Sequence, residues 1–289
     1  MPSRFVALAI LIYWSIAAFC LLTWDVIPEL ALGYPPDLRA IAMAGDLSRP
    51  ARWTIQVVDD PKFPDVRRMV GEAVTMSSRR PDGWFELTSQ VEIDAGGLLR
   101  GTAFLSRSSV RLHVESRYLV EPSGNLSSFT LDVKSHESPE TLIQVKGQIK
   151  GNKMEVVSHG PVEMLNKRME IDYVPRGVVS DVLGPLDRLP GLHVGQRWDS
   201  QVINPFTGQV APVRVEVARM DLWPWNGKPV RTFVVVQHMA PLSMRTWVRY
   251  DDGVILRQEV PFPFVRLVLE RRPEPDEVLS STPTTVPGT

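Results

Sequence analysis

The sequence predicts a mainly β protein: an antiparallel meander of roughly ten to twelve strands carrying one short helix, preceded by a single transmembrane helix. Three observations predict it. Residues 5–24, FVALAILIYWSIAAFCLLTW, carry no charge. From Arg52 onward the apolar residues recur with period two. Glycine-containing turn dipeptides separate the alternating runs.

The leading run comes first. Twenty helical residues rise about 30 Å, the thickness of a bilayer's hydrocarbon core. Arg4 and the terminal amine precede it, and Asp25 and Glu29 follow it. Positive charge stays on the cytoplasmic side, so residues 1–4 are expected in the cytoplasm and the bulk of the chain outside it, in the periplasm. This makes a single-pass signal anchor of the inner membrane. The alternative is a cleaved signal peptide with its cut at Ala31–Gly33. Cys20 is the single cysteine, so no internal disulfide or multi-cysteine zinc site forms, and it reads as an apolar filler of the helix. Residues 25–50 form a linker, with a helical turn expected near 36–45.

The strands follow over residues 51–272. In RLHVESRYLV, Leu112 and Val114 oppose Arg111, His113 and Glu115. In FTLDVKS, Phe129, Leu131 and Val133 oppose Thr130, Asp132 and Lys134. RMEIDYV and VRVEVAR repeat the pattern, giving sheets with one greasy and one wet face. Gly151-Asn152, Asn226-Gly227 and Asp252-Gly253 accept positive φ and predict three hairpins. In GVVSDVLGPLDRLPGL, Val178, Val179, Val182 and Leu183 stand at helical spacing before Gly184-Pro185, predicting a short helix with its apolar side on the sheet. The stretch GLHVGQRWDSQVINPFTGQ then starts a strand. Gly195 permits a bend, Trp198 and Phe206 are core aromatics, and Arg197 and Asp199 share a face where they can pair. The proline-rich tail 273–289 cannot bury enough apolar surface to offset its ordering entropy, and disorder is expected.

Chemistry is sparse. A net charge of −1 gives no electrostatic reason to expect nucleic acid as a partner. The five histidines lack the i,i+4 spacing of a helical zinc pair, and no G-x-S-x-G elbow occurs. Paired acids such as Asp59-Asp60 and Asp251-Asp252 are sequence neighbours, which point apart rather than across a cleft. No catalytic residue, metal ligand or cofactor is assigned. Arg67, Arg68, Arg79 and Arg80 read as solvated loop residues, with an anion patch as the alternative.

Several segments stand in a recognisable order: GQIKGNKMEV from Gly147, VGQRW from Val194, NPFTG from Asn204, and W-V-x-Y-x-D-G-x-x-L-R-Q-E from Trp247. Over residues 50–272 the chain resembles a bacterial exported β-rich domain associated with transglutaminase-like proteins, which is related to periplasmic lipoprotein-carrier half-barrels. The resemblance implies a curved antiparallel half-barrel with a helix against its concave side. It implies no catalytic positions. On such a scaffold Val178, Val179, Val182 and Leu183 are candidates to line a site for a hydrophobic ligand, a lipid or lipoprotein-like molecule, and are equally good core residues. Trp223 and Trp225, two apart across Pro224, are candidates for an interaction surface. The function expected is a non-enzymatic, membrane-anchored envelope protein that binds such a ligand. The alternative is a scaffold module docking a separate envelope enzyme such as a transglutaminase-like protease.

Overall fold

The computed structural model describes residues 4–21, 49–58, 66–98, 110–173, 179–181, 183–203, 210–239, 242–261 and 265–273, with isolated positions between 36 and 43. Helix α1 spans Arg4–Leu21. The strands are β1 (Ala51–Val58), β2 (Arg67–Arg79), β3 (Phe85–Asp94), β4 (Arg111–Val120), β5 (Leu126–Ser135), β6 (Ser138–Lys150), β7 (Lys153–His159), β8 (Lys167–Asp172), β9 (Val179–Asp181), β10 (Arg197–Ile203), β11 (Val210–Trp225), β12 (Lys228–Met239), β13 (Leu242–Arg249), β14 (Ile255–Pro261) and β15 (Arg266–Arg271). A one-turn helix α2, Ala95–Leu98, follows β3.

These fifteen strands form one curved sheet in the order β8-β7-β6-β5-β4-β3-β2-β1-β15-β14-β13-β12-β11-β10-β9. The first and last strands of the domain pair with each other, Trp53 opposite Arg271 and Ile55 opposite Leu269. Each half is then a meander running away from that central pair. Every neighbouring pair is antiparallel except β9 and β10. The three anticipated hairpins form, with positive φ at Gly151, at Asn226 and Gly227, and at Gly253.

One apolar face curls inward to make the core. Trp53, Ile55 and Val57 of β1 are fully buried there, as are Leu131, Val145 and Val156 of the first half and Val217, Val235 and Leu267 of the second. The Trp53 indole N–H donates to Thr75 Oγ1 at 3.2 Å, which satisfies the one polar atom that the ring carries inside.

The structure corrects four expectations. The strand number, fifteen, exceeds the ten to twelve expected. The described part of the expected helix is not helical. Val179–Asp181 is the short strand β9, and it pairs in parallel with Gln201–Ile203 of β10. The β-branched Val179 fits a pleated edge better than a helical turn, and the edge of β10 offers its backbone a partner in Gln201. Residues 183–196 then make an irregular plug rather than a helix. Arg197 and Asp199 do not pair with each other: Arg197 meets Glu216 at 3.3 Å and Asp199 meets Arg214 at 3.7 Å, both across to β11. Arg67 and Arg79 lie at opposite ends of β2, so no shared basic patch forms.

At the amino terminus α1 has 18 residues, a rise of about 27 Å. Among the described residues no helix is long and apolar enough to cross a membrane. Residues 22–24 of the expected span, most of the 25–50 linker and the 274–289 tail lie outside the described residues. Positions 39, 40 and 43 are helical, where a turn was expected.

Candidate functional site

The interior comes first, because that is where a ligand was expected. The plug occupies it. Leu183 and Leu189 are buried in the core, and Leu186 and Leu192 pack on it. Asp187 forms an ion pair with Arg271, whose guanidinium lies 5.9 Å from the Trp53 ring. The Leu189 N–H donates to the Gly253 carbonyl at 2.7 Å, and the Ile255 N–H to the Asp187 carbonyl at 3.1 Å. Among the described residues, a pocket of about 20 Å3 lies between the plug and β2, β3 and β4, lined by Thr75, Leu87, Ser89, Tyr118 and Leu186 among others. That is room for one water. Leu183 is thus a core residue. Val178 and Val182 lie outside the described residues, as does the side chain of Val179.

A larger space lies where the two ends of the sheet abut. The Gln201 side-chain amide on β10 donates to the Asp172 carbonyl at the end of β8 at 2.7 Å, joining one end of the sheet to the other. Beside this bond is a groove of about 750 Å3. Ile171, Val210, Pro212 and Val213 line it, and Ile171 and Val210 also pack against the core. Its rim is charged: Lys153 with Asp172 at 2.7 Å, Arg214 with Asp199 at 3.7 Å, and Glu170. The hydrogen bond to Asp172 and that carboxylate's charge hold the Lys153 ammonium above its ordinary pKa, so this rim cation persists across the physiological range. An apolar trough between charged lips can hold an amphiphile. No sequence signal marked it, because β8 and β10 read as ordinary alternating strands and their meeting depends on the curvature of the whole sheet.

A second cavity, about 420 Å3, sits under the β13–β14 turn between the plug residues Leu189–Leu192 and the rings of Phe233 and Tyr250. Arg249 grips both carboxylate oxygens of Asp252 there, at 2.9 and 2.7 Å. Burial pushes the Asp252 carboxyl upward, but hydrogen bonds from Arg249 and the Val254 N–H, with the charges of Arg249 and Arg188, leave it below the usual aspartate value.

Trp223 and Trp225 share one face of β11, as their spacing required, but neither is a free anchor. Trp223 stacks against Trp247 with ring centroids 5.2 Å apart. The Arg257 guanidinium lies 4.7 Å from Trp223 and 5.3 Å from Trp247. It pairs with Glu270 at 2.7 Å and Glu259 at 2.6 Å, and Glu270 also takes Arg67 at 2.6 Å. This buried ionic cluster lies on the face opposite the core. Trp225 is half-buried. Among the described residues no group of three or more histidine, cysteine or acidic side chains is placed to hold a metal.

No family model matches the sequence. No curated protein matches it either. Two solved structures are similar in fold. A β-barrel-like protein of the domain of unknown function DUF1849 from Brucella abortus superposes with a TM-score of 0.50 at 8% identity, covering 77% of this chain and 94% of that one. A DUF1089 family protein from Pseudomonas aeruginosa gives a TM-score of 0.38 at 12% identity, covering 65% of this chain and 89% of that one. At such identity the first likeness speaks to architecture alone: the chain folds as a β-barrel-like domain.

Proposed function

We propose that this chain is a membrane-anchored envelope protein without catalytic activity, and that its extracytoplasmic β domain binds a hydrophobic ligand, a lipid or the acylated end of a lipoprotein, in the manner of the lipoprotein carriers. The groove where the sheet ends abut carries the reading. Its lining includes Ile171, Val210, Pro212 and Val213, and its lips are charged, which matches a molecule with an apolar body and a polar head. Its volume of about 750 Å3 lies within the range of small-molecule sites. The anchor is supported by the uncharged run of residues 5–24, of which α1 covers all but the last three.

The test is extraction of the full chain from membranes in a detergent-free polymer, followed by native mass spectrometry. An acyl-bearing molecule should accompany the protein. Ile171→Glu, which sets a charge in the trough, should lower its occupancy at least tenfold, a difference of about 1.4 kcal/mol. Protein emerging with nothing bound, or occupancy indifferent to Ile171→Glu, overturns the reading. The plug residues Leu183 and Leu189, buried in the core, favour a second reading, in which the domain docks a separate envelope enzyme. In that case the same extraction returns a stoichiometric protein instead of a lipid.

A further inference from the structure

The hairpin of β11 and β12 runs well past its neighbours. β10 begins opposite Glu216, and Val217 bonds the residues just before it, so the residues from 218 to Trp225 project beyond it, ~26 Å of strand. On the other side β13 ends at Arg249, opposite Thr232. The projecting arm is apolar on both faces. One face carries Trp223 and Trp225. The other carries Met220 and Leu222, which are 42% and 64% exposed, and continues into Tyr250 at 44%. Phe233 is the cross-strand partner of Met220, and its ring stands 5.2 Å from that of Tyr250. Exposed apolar side chains gathered in this way mark an interaction surface.

Three further observations say what lies against it. First, the arm is cationic at its tip: Lys228 follows the turn, and the Arg231 guanidinium lies 5.1 Å from the exposed Tyr250 ring. Basic groups beside tryptophan and tyrosine suit the headgroup layer of an anionic bilayer. Second, Pro224 and Pro229 face each other across the hairpin. Trp225 and Lys228 flank the two-residue turn, so 224 and 229 form the pair whose N–H groups would point away from the ladder. Proline has none, which removes two backbone donors that a hydrocarbon-facing arm could not satisfy. Third, contacts link the arm to the end of the domain where the chain enters from α1. Arg272 donates to the Arg52 carbonyl at the start of β1; the neighbouring Arg271 holds plug residue Asp187; Leu189 bonds Gly253 in the β13–β14 turn; and Tyr250 donates to the Arg231 carbonyl of the arm.

We infer that the β11–β12 arm is a membrane-docking element, which inserts Leu222 and Met220 into the interface of an anionic bilayer and seats the plugged end of the barrel on the membrane. The orientation rests on the anchored reading above; the apolar tip and its cations do not. Leu222 and Met220 enter the headgroup and acyl boundary, while Arg231 and Lys228 reach the phosphates.

The test uses the full chain with Cys20→Ser and one new cysteine, Leu222→Cys, labelled with an environment-sensitive fluorophore. It is reconstituted into phosphatidylcholine vesicles with brominated acyl chains, with and without phosphatidylglycerol. A second protein carries Val162→Cys, in the exposed turn at the far end of the β7–β8 hairpin. The label at 222 should shift to the blue and be quenched by bromine, more strongly with phosphatidylglycerol; the label at 162 should do neither. Arg231→Glu with Lys228→Glu should cut the quenching at 222 at least threefold. Vesicle-bound protein with a water-exposed label at 222 overturns the docking arm and leaves the anchor standing. Protein that fails to float with vesicles overturns both. A label at 222 shielded from water yet not quenched, with a second protein cross-linked to it, assigns the arm to a protein partner and likewise overturns the proposal.

Discussion

Replacing Gly147 with alanine should destabilise the domain by about 2 kcal/mol. Gly147 of β6 lies directly opposite Phe129 of β5, whose ring lies over the glycine and tilts against Tyr118 at 6.1 Å between centroids. A Cβ built on Gly147 falls 1.9 Å from Phe129 Cε1, 2.5 Å from Cζ and 2.6 Å from Cδ1. Ordinary carbon contacts are ~3.5–4.0 Å, so the ring must retreat by at least ~1.5 Å. Phe129 is buried in the core and has little room to do so. Overpacking of this kind costs about 1–3 kcal/mol, against about 0.5–1 kcal/mol gained when glycine leaves a strand. Phe129→Ala alone should cost about 3–5 kcal/mol. In the double variant the new methyl meets no ring, so the pair should be less destabilising than the sum of its parts by about 2 kcal/mol. Urea denaturation followed by far-ultraviolet circular dichroism, on the full chain in detergent, measures all four corners of this cycle. A neutral Gly147→Ala, or a coupling within about 0.5 kcal/mol of zero, would refute the register that places this glycine beneath the ring.

Two further outcomes are expected alongside the ligand and membrane tests. Arg257→Met strips a buried guanidinium from Glu259 and Glu270, and removing one member of a buried pair costs about 3–5 kcal/mol. Because Glu270 keeps Arg67 and Glu259 keeps Arg266 at 3.8 Å, the loss should fall at the low end, read as a drop in the urea midpoint. Asp252 has a folded pKa held below its ordinary 3.8, so the stability it supplies is complete above that value and is lost as the pH falls through the lower, folded one. Asp252→Asn should therefore destabilise at pH 7 and make much less difference at the acid end; an equal deficit at both would contradict the assignment.

The local elements were legible wherever one face of a strand meets water. The alternation at Leu112–Val114, Phe129–Val133 and Val213–Val217 gave strands with the expected buried faces, and three dipeptides placed three turns. Trp198 and Gly195 behave as read, one buried and the other at positive φ. The reading failed at Val179–Asp181, which fit a helical template in the sequence but join the edge of β10 as a strand. It also stopped at proximity. Trp223 and Trp225 looked like a free pair because nothing local announces Trp247 and Arg257, which arrive from two other strands.

Sequence by itself determined the apolar leading segment, the β class of the domain and the positions of its tight turns, because each depends on residues within one turn or one strand of each other. Only the tertiary structure decided that β1 pairs with β15, that residues 183–196 fill the interior, and that Ile171 and Val213 border one groove. Those outcomes follow from the summed twist of fifteen strands and from contacts between residues tens to hundreds of positions apart, which no local pattern encodes.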